Sequence, residues 1–293
     1  MTDQLPITAD MLTYHTYVLD YEPPYAWSLL HDFYQAHPVP AQEWLTDQGL
    51  GRTFQLGEAC GYFSAHICPE QAHFNVELAI NTPADAQAVI ARIRHMLDLD
   101  SSPALIEQHL QRHYPHLPLV KGLRIPRLWS TFEAGVRAIL GQQISVGAAS
   151  KLVNILVETA GRPIATSHGP CFLFPTVKAL QDADLNVLPM VNARRDTLKR
   201  FVEWYGQAEA LAEAPEHWLS LKGIGPWTVN SAAMRGRGDS DMWIGGDLGI
   251  RKVVEAFDPA DAFDPSLAAP WRSYLTQQLW SQPAAWAPSR RRS

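Results

Sequence analysis

Two glycines one residue apart, in Leu221-Lys222-Gly223-Ile224-Gly225-Pro226-Trp227-Thr228, leave the chain few ways to fold around them. Glycine permits a tight backbone path and a close approach that a Cβ would obstruct. Ile224, apolar between them, can plug the turn into whatever lies behind it. Pro226 suits the first turn of a helix, where its missing N–H would have no partner anyway. The stretch predicts a hairpin between two helices at 216–234, with free N–H groups at the start of the second helix that attract an anion. Gly245-Gly246-Asp247 follows, opening another helical pattern with a carboxylate 22 residues after Gly225.

The hydrophobic patterning changes character near residue 100. Before it, 13–19 is β-prone, and 51–56, 60–67 and 74–80 read as short strands; Phe74, Val76, Leu78 and Ile80 alternate with polar neighbours. Pro23-Pro24 predicts the start of an amphipathic helix through Trp27, Leu30 and Phe33. Helical spacing returns at 83–99, with Val89, Ile93, Met96 and Leu97 on one side. Strands bracketed by helices imply an antiparallel sheet with helices on one face.

After Asp100 the spacing is helical almost throughout, over 127–140, 145–160, 193–211, 218–222, 226–234, 248–257 and 267–280. Loops are expected at 162–175 and 235–241, and the basic tail at 288–293 reads as frayed. The expected class is α+β: an N-terminal α/β domain over 1–118, then a mostly helical core over 119–293.

At 293 residues and 46% apolar content, the chain can fill two or three small cores. It has no apolar run long enough to span a bilayer and no basic leader before an apolar stretch, so the expectation is a cytoplasmic protein without membrane contact. Three cysteines, Cys60, Cys68 and Cys171, exclude a four-cysteine iron–sulfur cluster and read as reduced thiols. His109 and His113 share a helix face but have no third ligand for zinc. The net charge of −6 is split unevenly: residues 1–118 hold 4 Lys/Arg and 14 Asp/Glu, whereas 119–293 hold 20 and 16. The second part can face phosphates while the first supplies acidic solubility.

Five segments carry a resemblance in order along the chain. They are Pro23-Pro24-Tyr25-Ala26-Trp27-Ser28, Phe132-Glu133-Ala134-Gly135-Val136-Arg137-Ala138-Ile139-Leu140-Gly141-Gln142, the hairpin, Gly246-Asp247, and Pro270-Trp271-Arg272-Ser273-Tyr274. Together they resemble the helix-hairpin-helix superfamily of DNA glycosylases, and within it the bacterial DNA-3-methyladenine glycosylase II family. The resemblance implies an N-terminal domain like half of a TATA-binding protein, then two helical subdomains with an active cleft between them. It also implies a monomer that binds double-stranded DNA, flips an alkylated base and hydrolyses its N-glycosidic bond.

On that reading Asp247 is the catalytic carboxylate. Breaking an N-glycosidic bond builds positive charge on the sugar, which an ionised acid stabilises while orienting the attacking water. A plain helix N-cap is the alternative role for Asp247, and the two can coexist. Lyase relatives carry a nucleophilic lysine where this chain has Trp227, so the resemblance implies a hydrolase without lyase activity. Phe33, Trp227 and Trp271 are implied to line the base pocket, where a cationic base stacked on an aromatic ring gains roughly 0.5–2 kcal/mol. Phe33 also fits a simple apolar helix stripe. Lys222, Gly223, Ile224 and Gly225 are the expected DNA contacts of the hairpin, and Gln143 the expected wedge behind a flipped base.

No organic cofactor is expected. The resemblance implies a monovalent cation on the backbone carbonyls of Leu219, Leu221 and Ile224. Ser231 and Leu248 stand where the family has pocket tyrosines, which leaves the lesion range open. Two alternatives remain at this stage: a glycosylase for deaminated or oxidised bases, and a non-catalytic helix-hairpin-helix DNA-binding module.

Overall fold

Five strands pair antiparallel in the order β1-β5-β4-β3-β2, with β1 Thr13–Asp20, β2 Glu43–Thr46, β3 Gly49–Leu56, β4 Ala59–Cys68 and β5 His73–Ile80. The computed structural model describes residues 5–208, 211, 213–257 and 263–283; the expected tail at 288–293 lies outside them. Register places Leu19 opposite Phe74, Phe74 opposite Ile67, and Val76 opposite Ala65. These side chains point to one face and form a core with α1 Trp27–Ala36 and α2 Ala86–Met96. The other face, at Cys60, Tyr62 and Ala79, is covered by Ile7 and by a two-stranded hairpin, β6 Pro163–Thr166 and β7 Gly169–Phe172.

That hairpin falls where a loop was expected. Its strands are only four residues long and each contains a proline, so no alternation marks them in the sequence. It is packing of Ile164 and Cys171 behind the sheet that orders them. The three cysteines are unpaired thiols, Cys60 and Cys171 buried and Cys68 half-buried.

Helix starts depart from expectation for local reasons. α1 begins at Trp27, after the Pro23-Pro24 pair, because the residue before a proline is pushed out of the helical region. α4 Thr131–Gly141 begins at a Ser130 cap whose Oγ accepts the Glu133 N–H at 3.1 Å, four residues later than expected. α10 Arg272–Trp280 starts only after Pro270, and a 3₁₀ turn at Pro265–Ala268 precedes it. The first arm of the 216–234 hairpin is likewise a 3₁₀ turn, Pro215–Ser220, and not an α-helix. Helix α3 Pro103–His113 carries His109 and His113, and α6 Val177–Asp182 adds to the helices expected.

The helical part has two apolar cores. One gathers α4, α5 Val146–Ala160, α7 Asn192–Gln207 and α8 Pro226–Ala232 around Val136, Phe201 and Trp218. The other joins α3, α10 and α9 Leu248–Phe257 through Leu110, Ile250, Val253 and Leu275. A π-helical turn, Ala233–Arg237, passes from the first core to the second.

The sheet is tied to α4 by buried charge. Arg52 reaches Glu133 at 2.7 Å, and Arg137 reaches Glu133 at 2.7 Å and Glu43 at 2.5 Å. Burial pushes the Glu133 carboxyl up, but the Arg52 and Arg137 guanidiniums outweigh it and hold the group below its ordinary value. Removing one member would strand a buried charge, so the cluster fixes how sheet and helices meet.

Candidate active site

The site is assembled where the polypeptide passes between the two helical cores. Gly223 has φ +96°, and a Cβ there would lie 2.1 Å from Thr197 Oγ1, so the turn demands glycine. Ile224 is buried and anchors the turn in the first core, as its position between the glycines suggested. Gly225 differs: its φ is −115° and an added Cβ would meet nothing within 4 Å. Open space lies in front of it.

Hydrogen bonding gives the turn a polarity. The Lys222 carbonyl accepts from Arg200 Nε at 3.2 Å and Nη2 at 3.0 Å. The Gly223 carbonyl accepts from Gln142 Nε2 at 3.0 Å. The Ile224 N–H is spent on the Leu221 carbonyl at 3.0 Å. The N–H groups of Gly223 and Gly225 find no acceptor among the described residues. The Lys222 and Gly223 carbonyls are therefore taken by side chains while two N–H donors stay unpaired among the described residues, beside the exposed Lys222 and Arg200 of α7.

Gln143 stands next to this surface. It is exposed and left-handed, with φ +58°, between α4 and α5. Its neighbour Gln142 bonds both the Gly223 carbonyl and Thr228 Oγ1, and accepts from Arg194. The expected wedge and the expected phosphate clamp are thus held together by one side chain.

Asp247 caps α9. Its Oδ1 accepts the Gly249 N–H at 2.8 Å and the Ile250 N–H at 3.3 Å. A third donor is Trp280 Nε1, at 3.0 Å, from the last residue of α10. Asn230 on α8 donates to the Trp243 carbonyl at 2.9 Å, tying the Asp247 loop back to the hairpin helix. The N-cap alternative is therefore realised in the fold.

Of the three aromatic residues expected around a base, Trp227 is 38% exposed and contacts no other described ring, so its faces remain available. Trp271 is half-buried against the second core, edge-on to Tyr274 at 5.8 Å. Phe33 is already engaged. His37 stacks on it at 4.2 Å, and the Arg235 guanidinium lies 4.3 Å from its ring centroid. Arg235 also lies 5.3 Å from the Trp280 ring, so Phe33 of the N-terminal domain is linked to Asp247 through Arg235 and Trp280. Burial pulls the Arg235 guanidinium down to about 10.

Arg235 and Trp280 escaped the sequence reading. Trp280 is one of ten tryptophans and sits in an ordinary helical pattern, with nothing to set it apart from core. The Trp271-Arg272-Ser273-Tyr274 segment proves to be heavily committed to structure: Arg272 pairs with Asp241 at 2.7 Å, Ser273 Oγ donates to the Asp239 carbonyl at 2.6 Å, and Tyr274 OH donates to buried Asp98 at 2.9 Å. Ser231 is buried, while Leu248 beside Asp247 is 54% exposed. Among the described residues no group of three or more His, Cys, Asp or Glu could hold a metal ion, and no helix is long and apolar enough to cross a membrane.

Residues 16–130 match the AlkA N-terminal domain family. The DNA-3-methyladenine glycosylase 2 of Escherichia coli K12 is 30% identical over 280 residues, covering 90% of this chain and 96% of the relative. The chain belongs to the DNA-3-methyladenine glycosylase 2 (AlkA) family.

Membership accords with the α+β class of the fold. A second relative, a "probable bifunctional transcriptional activator/DNA repair enzyme AlkA" of Mycobacterium tuberculosis, is 34% identical over 275 residues and 88% of this chain. The chain spans only 55% of that relative's length. The fold also superposes on a 3-methyladenine DNA glycosylase from Archaeoglobus fulgidus with a TM-score of 0.70, at 19% identity, over 90% of this chain and 97% of that one.

Proposed function

We propose that this protein is a DNA glycosylase that excises alkylated bases, of the 3-methyladenine and 7-methylguanine type, by hydrolysing the N-glycosidic bond. The observation that carries this reading is the pairing of a turn whose Gly223 and Gly225 N–H groups have no acceptor among the described residues with a carboxylate, Asp247, held through the same loop system. The turn takes a phosphate of the damaged strand through backbone donors, so it reads no sequence. Gln143 fills the space of the flipped base, and Trp227, which contacts no other described ring, offers a ring face to a cationic base. Asp247 stabilises the positive charge that develops on the deoxyribose and directs water to it. A cationic base leaves as a neutral molecule, so no second acid is required.

The product on this reading is an abasic site with an intact phosphodiester backbone. Trp227 occupies the position of the lyase lysine and offers no amine for a Schiff base. A monovalent cation on the carbonyls of Leu219, Leu221 and Ile224 belongs to the same proposal: neutral oxygens suit a hard ion, and the Leu221 carbonyl keeps a lone pair after accepting the Ile224 N–H. Bound there, the ion would add positive potential near the phosphate. The three free thiols agree with a reducing, cytoplasmic compartment.

Release of bases from alkylated duplex DNA, read by mass spectrometry, tests the reading directly. The expected result is free 3-methyladenine or 7-methylguanine, with no protein–DNA adduct trapped by borohydride. Asp247→Asn should lower excision by about 100-fold or more, while binding to abasic DNA persists. If no base is released, the enzyme reading fails; a trapped adduct would overturn the monofunctional assignment alone.

A further inference from the structure

The Asp247 carboxylate is unevenly loaded. Its three hydrogen bonds, from Gly249 N, Ile250 N and Trp280 Nε1, all end on Oδ1. No described residue donates to Oδ2. A helix cap requires only the first two donors. The third comes from a residue 33 positions further along, at the end of another helix, and from a side chain with a single N–H and no acceptor.

Trp280 is itself braced. Arg235 lies over its ring at 5.3 Å and is fixed in turn by the Pro126 carbonyl at 2.8 Å and by Gln277 Oε1 at 3.3 Å. Phe33 closes the stack on the other partner of Arg235, at 4.3 Å. The indole direction is therefore set by three elements: α1, the π-helical turn and α10. A carboxylate held only by its own helix amides can still rotate and exchange its two oxygens. A donor arriving from an independent element blocks that exchange.

We infer that Trp280 is a positioning residue for Asp247: its indole N–H, with the α9 amides, fixes Oδ1 and leaves Oδ2 as the oxygen that meets the sugar or the attacking water. The inference rests on Asp247 being the catalytic acid. In this role Trp280 acts through Asp247, by keeping one oxygen of the acid in a single place.

Trp280→Phe keeps a ring beneath Arg235 and removes the N–H. Single-turnover excision of 7-methylguanine should fall roughly 10- to 100-fold, the scale of a misplaced catalytic group, while affinity for abasic-site DNA and the thermal midpoint stay at wild-type values. Benzothienylalanine at position 280, which has the shape of tryptophan without the N–H, should reproduce the loss and so exclude a packing effect. A wild-type excision rate in either variant, with Asp247→Asn inactive, overturns the inference. So does a loss of rate accompanied by an equal loss of DNA affinity, which marks a structural role. If Asp247→Asn excises normally, the catalytic assignment falls instead, whatever Trp280→Phe does.

Discussion

Gln142 Nε2 lies 3.0 Å from the Gly223 carbonyl and 3.0 Å from Thr228 Oγ1, so one amide joins the loop carrying Gln143 to the hairpin. Two neutral hydrogen bonds of this kind contribute about 1–2 kcal/mol together. Gln142→Ala should therefore weaken binding to abasic DNA by roughly 5- to 30-fold, without changing its dependence on salt, because no charge is lost. Fluorescence anisotropy over a salt series measures both. Unchanged affinity would mean that the two loops engage DNA independently.

The two hairpin glycines should separate folding from binding. Gly223→Ala forces a Cβ into Thr197 at a φ of +96° and should destabilise the protein by about 1–3 kcal/mol in urea unfolding. Gly225→Ala meets open space at φ −115° and should leave the unfolding midpoint in place. Its added methyl group stands where a phosphate approaches, so DNA affinity should still drop. Normal DNA binding by Gly225→Ala would remove this residue from the interface.

Lys222 is exposed at the turn, and its backbone carbonyl is taken by Arg200. Lys222→Gln should lower the slope of log affinity against log salt by about one, the release of one counterion. It should do so equally for undamaged and abasic DNA, since a phosphate contact carries no sequence or lesion information. An unchanged slope would show that the lysine points away from DNA.

His37 provides a pH handle on stability. Burial drives it down to about 4, opposed by its bond to the Phe33 carbonyl, with Arg235 and Arg137 adding to the fall. An unfolded histidine titrates near 6.5. Between those values the unfolded chain holds the extra proton, so stability falls as pH drops from about 6.5 towards 4. His37→Asn, which can keep the hydrogen bond without the titration, should flatten urea-unfolding stability across that window by about 2 kcal/mol. Parallel curves for the two proteins would exclude the histidine as the source.

Periodicity made most of the fold legible. The alternation at Phe74, Val76, Leu78 and Ile80 survives as the inward face of β5, and the helical spacing at 248–257 survives as α9. The errors cluster where short-range pattern and long-range packing compete. β6 and β7 are too short and too rich in proline to alternate, and they exist because Ile164 and Cys171 cover the back of the sheet. Helix starts were misplaced at Pro23-Pro24 and Pro270, where proline geometry overrides apolar spacing.

The site divides in the same way. Gly223, Ile224 and Gly225 lie within one turn, and Asp247 opens its own helix, so their backbone demands are written in adjacent residues. Glycine content, a proline at the helix start and an acid at an N-cap are local chemistry, and sequence carries local chemistry without loss. Which side chains from elsewhere complete those local units is a different matter. Trp280 reaches Asp247 across 33 residues, Gln142 reaches Gly223 across 81, and Arg235 stacks on Phe33 from a turn some 200 positions away. No spacing rule encodes such meetings. They follow from how two helical cores and a sheet pack, and that packing settles which oxygen of the acid is pinned and which N–H groups of the hairpin remain free.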